Sequence, residues 1–210
     1  MKAENPKTEP GRTHAERRRE AERRILSAAL EIVAERGLDG LTLQEAGEAA
    51  GFSRALPAHY YGSREVMLAA VVEQVITDYR QRLLASEYGR LEGLPALLAG
   101  VSFFVEEARR SPQGLKAFYE VTDAAARRPP GAPTVLRLND ETLEATIVNI
   151  QTAMTKGEVR ADLEPRLEAV LFLATLRGLM THWLGDPDQF DLEAARDALI
   201  GGLRRNWALD

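Results

Sequence analysis

Apolar residues recur along this chain at intervals of three and four, the period of helices packed on one face. Ile25, Ala28, Ala29, Ile32 and Val33 fall on a single stripe. Thr13 and Glu16 form a capping box ahead of it, with the threonine oxygen accepting an N–H while the glutamate reaches back. Gly37 ends the helix, since glycine accepts the left-handed conformation found just past a helix C-terminus. Thr42 and Glu45 make a second capping box, which predicts a short helix over 42–50. Gly51 and Phe52 make a turn, and Ser53 is the expected N-cap of a third helix over 53–61. Gly62 breaks the chain once more, and Ser63 caps a longer helix that starts at Arg64.

Helical periodicity continues over 95–110, 112–127, 134–155, 165–184 and 192–207, with Pro/Gly clusters at 128–133 and 185–187 between segments. Alternating strand-like segments and repeats of 20–50 residues are both missing. The expected fold is all-α with about nine helices, the first three forming an N-terminal unit. Residues 1–12 hold Pro6, Pro10 and Gly11 among charges and read as a disordered arm.

At 210 residues, 45% hydrophobic and 28% charged, the chain has material for one large domain or two small ones. It contains no cysteine, which excludes disulfides, thiol chemistry and the most specific zinc ligand. The longest uncharged run is thirteen residues, 93–105, short of the ~20 that cross a bilayer. The N-terminus carries no apolar signal segment. Together these point to a soluble cytoplasmic protein without a membrane partner. A net charge of −5 argues against nucleic acid until its distribution is considered. Residues 1–24 hold eight basic against five acidic groups, which leaves +3 there and −8 over the remainder. The end is basic and the body acidic.

Two short helices joined by a glycine turn, 42–50 and 53–61, have the layout of a helix-turn-helix. Ala46 and Ala50 are small enough for the helices to cross closely, and Gly51 suits the positive φ of a tight turn. A helix N-terminus at Ser53 favours a phosphate. Arg54, His59 and Tyr60 on the same helix are the kinds of side chain that meet base edges and backbone.

The stretch 25–68 resembles the DNA-binding domain of the TetR family of transcriptional regulators. The family pattern is Glu-Arg-Gly, then Thr-Val-x-x-Ile-Ala-x-x-Ala-Gly-Val-Ser, then His-Phe-x-Ser-Lys-Glu-x-Leu. Glu35-Arg36-Gly37, Thr42-Leu43, Ala49 to Ser53 and Tyr60 to Glu65 stand in register with it. Departures are Ala46-Gly47 for Ile-Ala, Ala55-Leu56-Pro57-Ala58 for the usual Gly-Thr-Leu-Tyr, and Tyr61 and Arg64 for Phe and Lys. Pro57 falls in the first helical turn, where a missing N–H costs least. The resemblance implies backbone contacts from Thr42, His59, Tyr60 and Arg64, with Ser53, Arg54, Ala55 and Leu56 facing the major groove. Arg54 is the expected guanine reader, and Tyr61 the expected core residue. Arg17 to Arg19, Arg23 and Arg24 either reach phosphates or pair with Glu16, Glu20 and Glu22 along the helix.

The resemblance further divides the chain into a DNA-binding domain at 13–63 and a ligand-binding, dimerising domain at 64–210. Independently, Ala169 to Leu176 is apolar around the whole helix, so one side asks for a partner. Leu192, Ala195, Leu199 and Leu203 repeat on the last helix, beside Gly201 and Gly202. A homodimer through 165–184 and 191–207, as a four-helix contact, is expected. Bulky groups at Phe103, Phe104, Phe118, Tyr119, Met154, Met180 and Trp183, with polar Asn149, Arg177 and His182, are candidates to line a pocket for a small, largely apolar effector. No cofactor is implied.

Catalysis has one foothold. Gly51 to Ala55 comes within a residue of the G-x-S-x-G nucleophile elbow, but a helix precedes it where that motif needs a strand. Three histidines, no His-x-x-x-His and no glycine-rich phosphate loop leave an enzyme without a site. The expected activity is that of a ligand-responsive repressor binding a palindromic operator as a dimer. A protein-binding helical adaptor and a corepressor-dependent or activating regulator are the alternatives.

Overall fold

The computed structural model describes residues 13–124 and 132–208. The expected arm at 1–12, the end of the sixth helix beyond Ala124 and most of the 128–133 connection lie outside the described residues. Within them the chain is all-helical, with nine α-helices and no strand. These are α1 (His14–Arg36), α2 (Leu43–Ala49), α3 (Leu56–Tyr61), α4 (Arg64–Ala85), α5 (Leu94–Arg110), α6 (Pro112–Ala124), α7 (Ala132–Thr155), α8 (Pro165–Gly185) and α9 (Leu192–Asn206). Short 3-10 turns at Leu38–Gly40 and Glu87–Arg90 join α1 to α2 and α4 to α5.

Local chemistry sets most of the boundaries. The Thr13/Glu16 box forms in both directions, with the Glu16 N–H donating to Thr13 at 3.2 Å and the Thr13 N–H to Glu16 at 2.7 Å. Gly37 follows α1 at φ +71°, a region closed to side-chain-bearing residues. The second box forms only in part. Thr42 accepts the Glu45 N–H at 3.2 Å, but the Glu45 carboxylate turns to the Thr42 hydroxyl and to Arg36 at 2.9 Å. At the start of α5, the Leu94 N–H donates to Glu158 at 2.8 Å and the Gly93 N–H to Asn149 at 2.9 Å.

α3 departs from expectation: it begins at Leu56 with Ala55 as N-cap, and Ser53 caps nothing. The cause is Pro57. A helix capped at Ser53 would take its first bond from the N–H of residue 57 to the Ser53 carbonyl, and proline has no N–H. That carbonyl instead accepts the Leu56 N–H in a turn at 3.1 Å.

Two apolar cores result. The larger runs without a break from Ile25, Ala29 and Val33 of α1, through Met67, Val71 and Val75 of α4, to Leu115 and Val121 of α6. The smaller joins Leu97 and Val101 of α5, Ile150 of α7, Phe172 and Leu176 of α8, and Trp207. α6 lies along α1, and α4 runs on from beneath the first three helices. The helix-turn-helix end thus shares its core with α4 and α6. The α9 stripe faces its own chain: Leu192 is buried in the larger core, and Leu199 and Leu203 pack against the smaller one.

Candidate nucleic-acid interface and ligand cavity

The α2–α3 turn is a Schellman motif. The Phe52 N–H donates to the Gly47 carbonyl at 2.8 Å and the Gly51 N–H to Glu48 at 2.9 Å, with Gly51 at φ +76°. Arg24 reaches across from α1 to donate to the Ala50 carbonyl at 2.7 Å, and its guanidinium lies 4.7 Å from the centre of the Phe52 ring. Arg64 does similar work on the other side, donating to the carbonyls of Leu41 at 2.7 Å and Leu38 at 2.8 Å. Both arginines were nominated from sequence for phosphate contact. In the structure they satisfy backbone carbonyls and fix the two turns that present α2 and α3.

The helices cross at Gly47, and not only through Ala46 and Ala50. A methyl group at Gly47 would sit 2.7 Å from the Ser53 carbonyl oxygen and 3.0 Å from the Pro57 ring. Gly47 and Pro57 are both departures from the family pattern, and they are in contact: the ring occupies space that a side chain at 47 would need. Gly47→Ala is therefore expected to cost about 1–3 kcal/mol by overpacking. Its signature is early melting of this end, read as faster amide exchange in α2 and α3 than in α8. Uniform exchange rates matching wild type would refute it.

The exposed side of this unit carries Thr42, Ser53, Arg54, Ala55 and His59, while Leu56, Tyr60 and Arg64 are half-buried. Tyr61 is half-buried and packs on the larger core. Burial, with Glu22 adding to it, lifts its phenol above the ordinary tyrosine range. Arg54 is paired with Glu48, an exposed carboxylate on α2 that pattern reading passed over. His59 and Tyr60 stand with ring centres 5.6 Å apart, and Arg18 sits 5.5 Å from the centre of the Tyr60 ring. Along α1, Arg18 pairs with Glu22 at 2.9 Å and Arg23 with Glu20 at 2.6 Å. Among the described residues, Arg17 and Arg19 make no ion pair, and both are exposed.

A cavity of about 350 Å³ opens among α4 to α8, within the usual range for small-molecule sites. Of the residues nominated from sequence, Phe104, Phe118, Tyr119 and Arg177 line it. Phe103 is buried behind the wall, edge-on to Tyr79 at 5.5 Å. Asn149 is occupied with the Gly93 N–H and the Ala145 carbonyl, and His182 is exposed on α8 away from the lining. Met180 and Trp183 belong to the larger core, and Met154 packs on the smaller one.

Lining residues not nominated include Tyr79, Leu83 and Leu84 of α4 and Tyr88 of the turn after it. A signal for Tyr79 existed: it continues the Val72, Val75, Ile76 stripe with a polar tip. Tyr79 stacks on Phe118 at 4.1 Å. Burial drives the Tyr79 phenol well above its ordinary range, aided by Tyr119 and Glu107 and opposed by Arg82 and Arg177. Burial raises Tyr119 likewise, against the lowering effect of Arg177. Both therefore remain O–H donors. Among the described residues, neither hydroxyl has a hydrogen-bond partner.

A helix-turn-helix whose second helix and the turn before it expose Ser53, Arg54 and His59, carried on a helical body with a cavity, has the layout of a DNA-binding transcriptional regulator. Residues 25–71 match the profile for bacterial regulatory proteins of the tetR family, and residues 95–207 match the BetI-type transcriptional repressor C-terminal profile. The chain belongs to the TetR family of transcriptional regulators. It is 33% identical over 62 residues to the regulator BetI of Rhizobium meliloti, a match covering 30% of each chain. It is 26% identical over 173 residues to the regulator SrpR of Pseudomonas putida, covering 81% of this chain and 78% of that one. A transcriptional regulator from Saccharomonospora viridis, solved in complex with choline, superposes with a TM-score of 0.77 at 18% identity, over 89% of this chain and 96% of that one. The family and these relatives are transcriptional regulators and not enzymes. Among the described residues no helix is long and apolar enough to cross a membrane.

Proposed function

We propose that the protein is a ligand-responsive repressor, acting in the cytoplasm as a homodimer on a palindromic operator. Residues 13–63 would form its DNA-binding domain and 64–210 its ligand-binding, dimerising domain. The observation that carries this is the exposed face of α2 and α3, where Thr42, Ser53, Arg54, Ala55 and His59 stand on turns braced by Arg24 and Arg64. Leu56 and Tyr60 are half-buried and contribute the edge of that face. Two copies related by a two-fold axis would meet half-sites about one helical turn, or ~34–36 Å, apart.

The dimer reading is supported by α8. Leu167, Val170 and Leu171 are exposed, while Ala169, Phe172 and Leu176 of the same helix are buried. α9 presents exposed Ala194 and Ala198 and, one turn on, Gly202, where an added methyl meets nothing within 4 Å. This small-residue face takes the place of the leucine stripe expected from the sequence, which is turned inward.

Ligand response is supported by the way cavity and DNA-reading end share elements. α4 starts at the Ser63 cap just after α3 and carries Tyr79 and Leu83 into the cavity wall. α6 contributes Phe118 and Tyr119 to that wall, while Glu120 between them and Thr122 lies 3.2 Å from where a Gly37 methyl would stand. A ligand that prefers one setting of α4 and α6 would shift operator affinity by the differential binding energy, typically about 1–3 kcal/mol. The choline bound to the Saccharomonospora viridis neighbour is consistent with a small molecule in this body.

Selection from a random duplex pool at low and moderate salt tests the reading. An enriched inverted repeat supports it; a folded, dimeric protein that enriches no motif refutes direct operator binding and moves the adaptor forward. Arg54→Ala is expected to weaken operator binding by about 1–3 kcal/mol and relax one position of each half-site. Glu48→Gln is expected to tighten binding severalfold, because it frees Arg54 and removes a carboxylate from beside the phosphates. Weaker binding by Glu48→Gln would instead assign the carboxylate a contact of its own.

A further inference from the structure

We propose that the cavity takes an amphiphile with a carboxylate at one end, held by Tyr79, Tyr119 and Arg177, and an apolar body lying along α4, α5, α7 and α8. The proposal rests on the reading that the effector occupies this cavity, and adds to it the chemical class of the effector.

The first support is the two hydroxyls. Tyr79 and Tyr119 are 5% and 6% exposed, both line the cavity, and neither oxygen is hydrogen-bonded among the described residues. Buried hydroxyls normally have partners, and leaving one without costs about 1–3 kcal/mol. Two at one place mark a site built for something that accepts hydrogen bonds. Two of the lining threonine hydroxyls are differently disposed. Thr122 donates to the Tyr119 carbonyl at 3.1 Å and Thr146 to the Thr142 carbonyl at 2.8 Å, inside their own helices.

Charge points the same way. Three charged residues line the cavity, and two of them, Arg80 and Glu141, are paired with each other. Arg177 is bonded to a neutral group, the Asn139 amide oxygen, at 2.5 Å. Arg177, exposed on α8, acts on both phenols, while Glu107 acts against it on Tyr79 and Asp123 on Tyr119. Two O–H donors beside a guanidinium whose bonded partner is neutral fit a carboxylate, which accepts at both oxygens.

Most of the remaining wall is apolar, with Leu83, Leu97, Leu138, Phe172 and Leu176, while Tyr88, Thr142 and the Arg80–Glu141 pair are its polar members. A quaternary ammonium is disfavoured by the same geometry. Such cations sit against open aromatic faces; Tyr79 and Phe118 each have one face covered by the other at 4.1 Å, and Arg177 would repel the charge.

The test compares three probes of equal length on the full chain by titration calorimetry: octanoate, 1-octanol and octyltrimethylammonium. Octanoate is expected to bind at least tenfold tighter than octanol, with the cation weakest. Tyr119→Phe and Arg177→Gln are each expected to reduce the octanoate-to-octanol ratio by about tenfold, since a hydrogen bond to a charged acceptor is worth more than one to a neutral hydroxyl and the apolar contacts stay. Tyr119→Phe keeps the ring and its packing, so loss of fold does not confuse the result. The proposal is overturned if the cation binds as well as octanoate, if none of the three binds, or if the ratio is the same in wild type and both variants. Operator affinity measured on the same samples separates the two readings. Octanoate bound with operator affinity unchanged refutes ligand response and leaves the ligand class standing. Intact operator binding without carboxylate preference refutes the ligand class alone.

Discussion

Leu171→Glu is expected to yield a folded monomer and to weaken operator binding by about two to four orders of magnitude, because the second half-site contact stops being intramolecular. In the single chain Leu171 is 52% exposed, beside Leu167 and Val170 on the same helix, so a glutamate there meets water and not the core. Thermal unfolding should therefore lose only the part owed to association. In a two-fold dimer the substitution enters the contact twice, placing two carboxylates where apolar groups would meet. Neither face of α8 is then neutral, since Ala169, Phe172 and Leu176 hold the inner side. Leu136 and Val148 of α7 are also exposed, but twelve residues apart on one helix, about 18 Å, they form no patch. Sedimentation equilibrium at micromolar concentration, with Gln189→Glu as an exposed charge control, reads the outcome. A Leu171→Glu protein that stays dimeric places the interface elsewhere.

Helix existence was legible because its signals are local. Thr13, Gly37, Gly51 and Ser63 mark helix ends through bonds to residues within five positions. The helix-turn-helix was legible for the same reason. Ser53 shows where such signals fail: its capping role depended on a bond that Pro57, four residues on, cannot donate. The braces were not legible, since Arg24 and Ala50 are 26 residues apart and nothing in a basic run marks which arginine turns inward. Few of the cavity residues were legible: four of the ten candidates, Phe104, Phe118, Tyr119 and Arg177, line it. Periodicity puts Phe103 and Phe104 on buried faces, but which of two neighbours meets a void depends on how five helices cross. The free hydroxyls of Tyr79 and Tyr119 are a property of that crossing and have no trace in either helix alone.

The second large effect is on stability and lies between α4 and α5. Arg82 donates to Glu107 at 2.7 Å, and Glu107 is only 1% exposed, with its other oxygen unbonded among the described residues and Arg110 at 4.0 Å. Removing one partner of a buried pair strands the other charge, which typically costs about 3–5 kcal/mol, far more than the pair itself contributes. Arg82→Met is therefore expected to lower Tm by about 10 °C, at roughly 2–4 °C per kcal/mol for a chain of this size. The double variant Arg82→Met with Glu107→Leu removes both charges and is expected to recover most of the loss, a coupling that an independent pair of sites would not show. Thermal unfolding of the two singles and the double decides it. If Arg82→Met melts with wild type, the carboxylate has another source of compensation, and the ion pair is not what seats α4 against α5. If the double melts as low as the single, the cost lies in the lost arginine stem and not in the stranded charge. That distinction bears on ligand response, because Tyr79 stands one turn before Arg82 on α4 and feels the Glu107 charge. A pair that locks α4 to α5 so near the cavity wall limits how far a ligand at Tyr79 can move that helix.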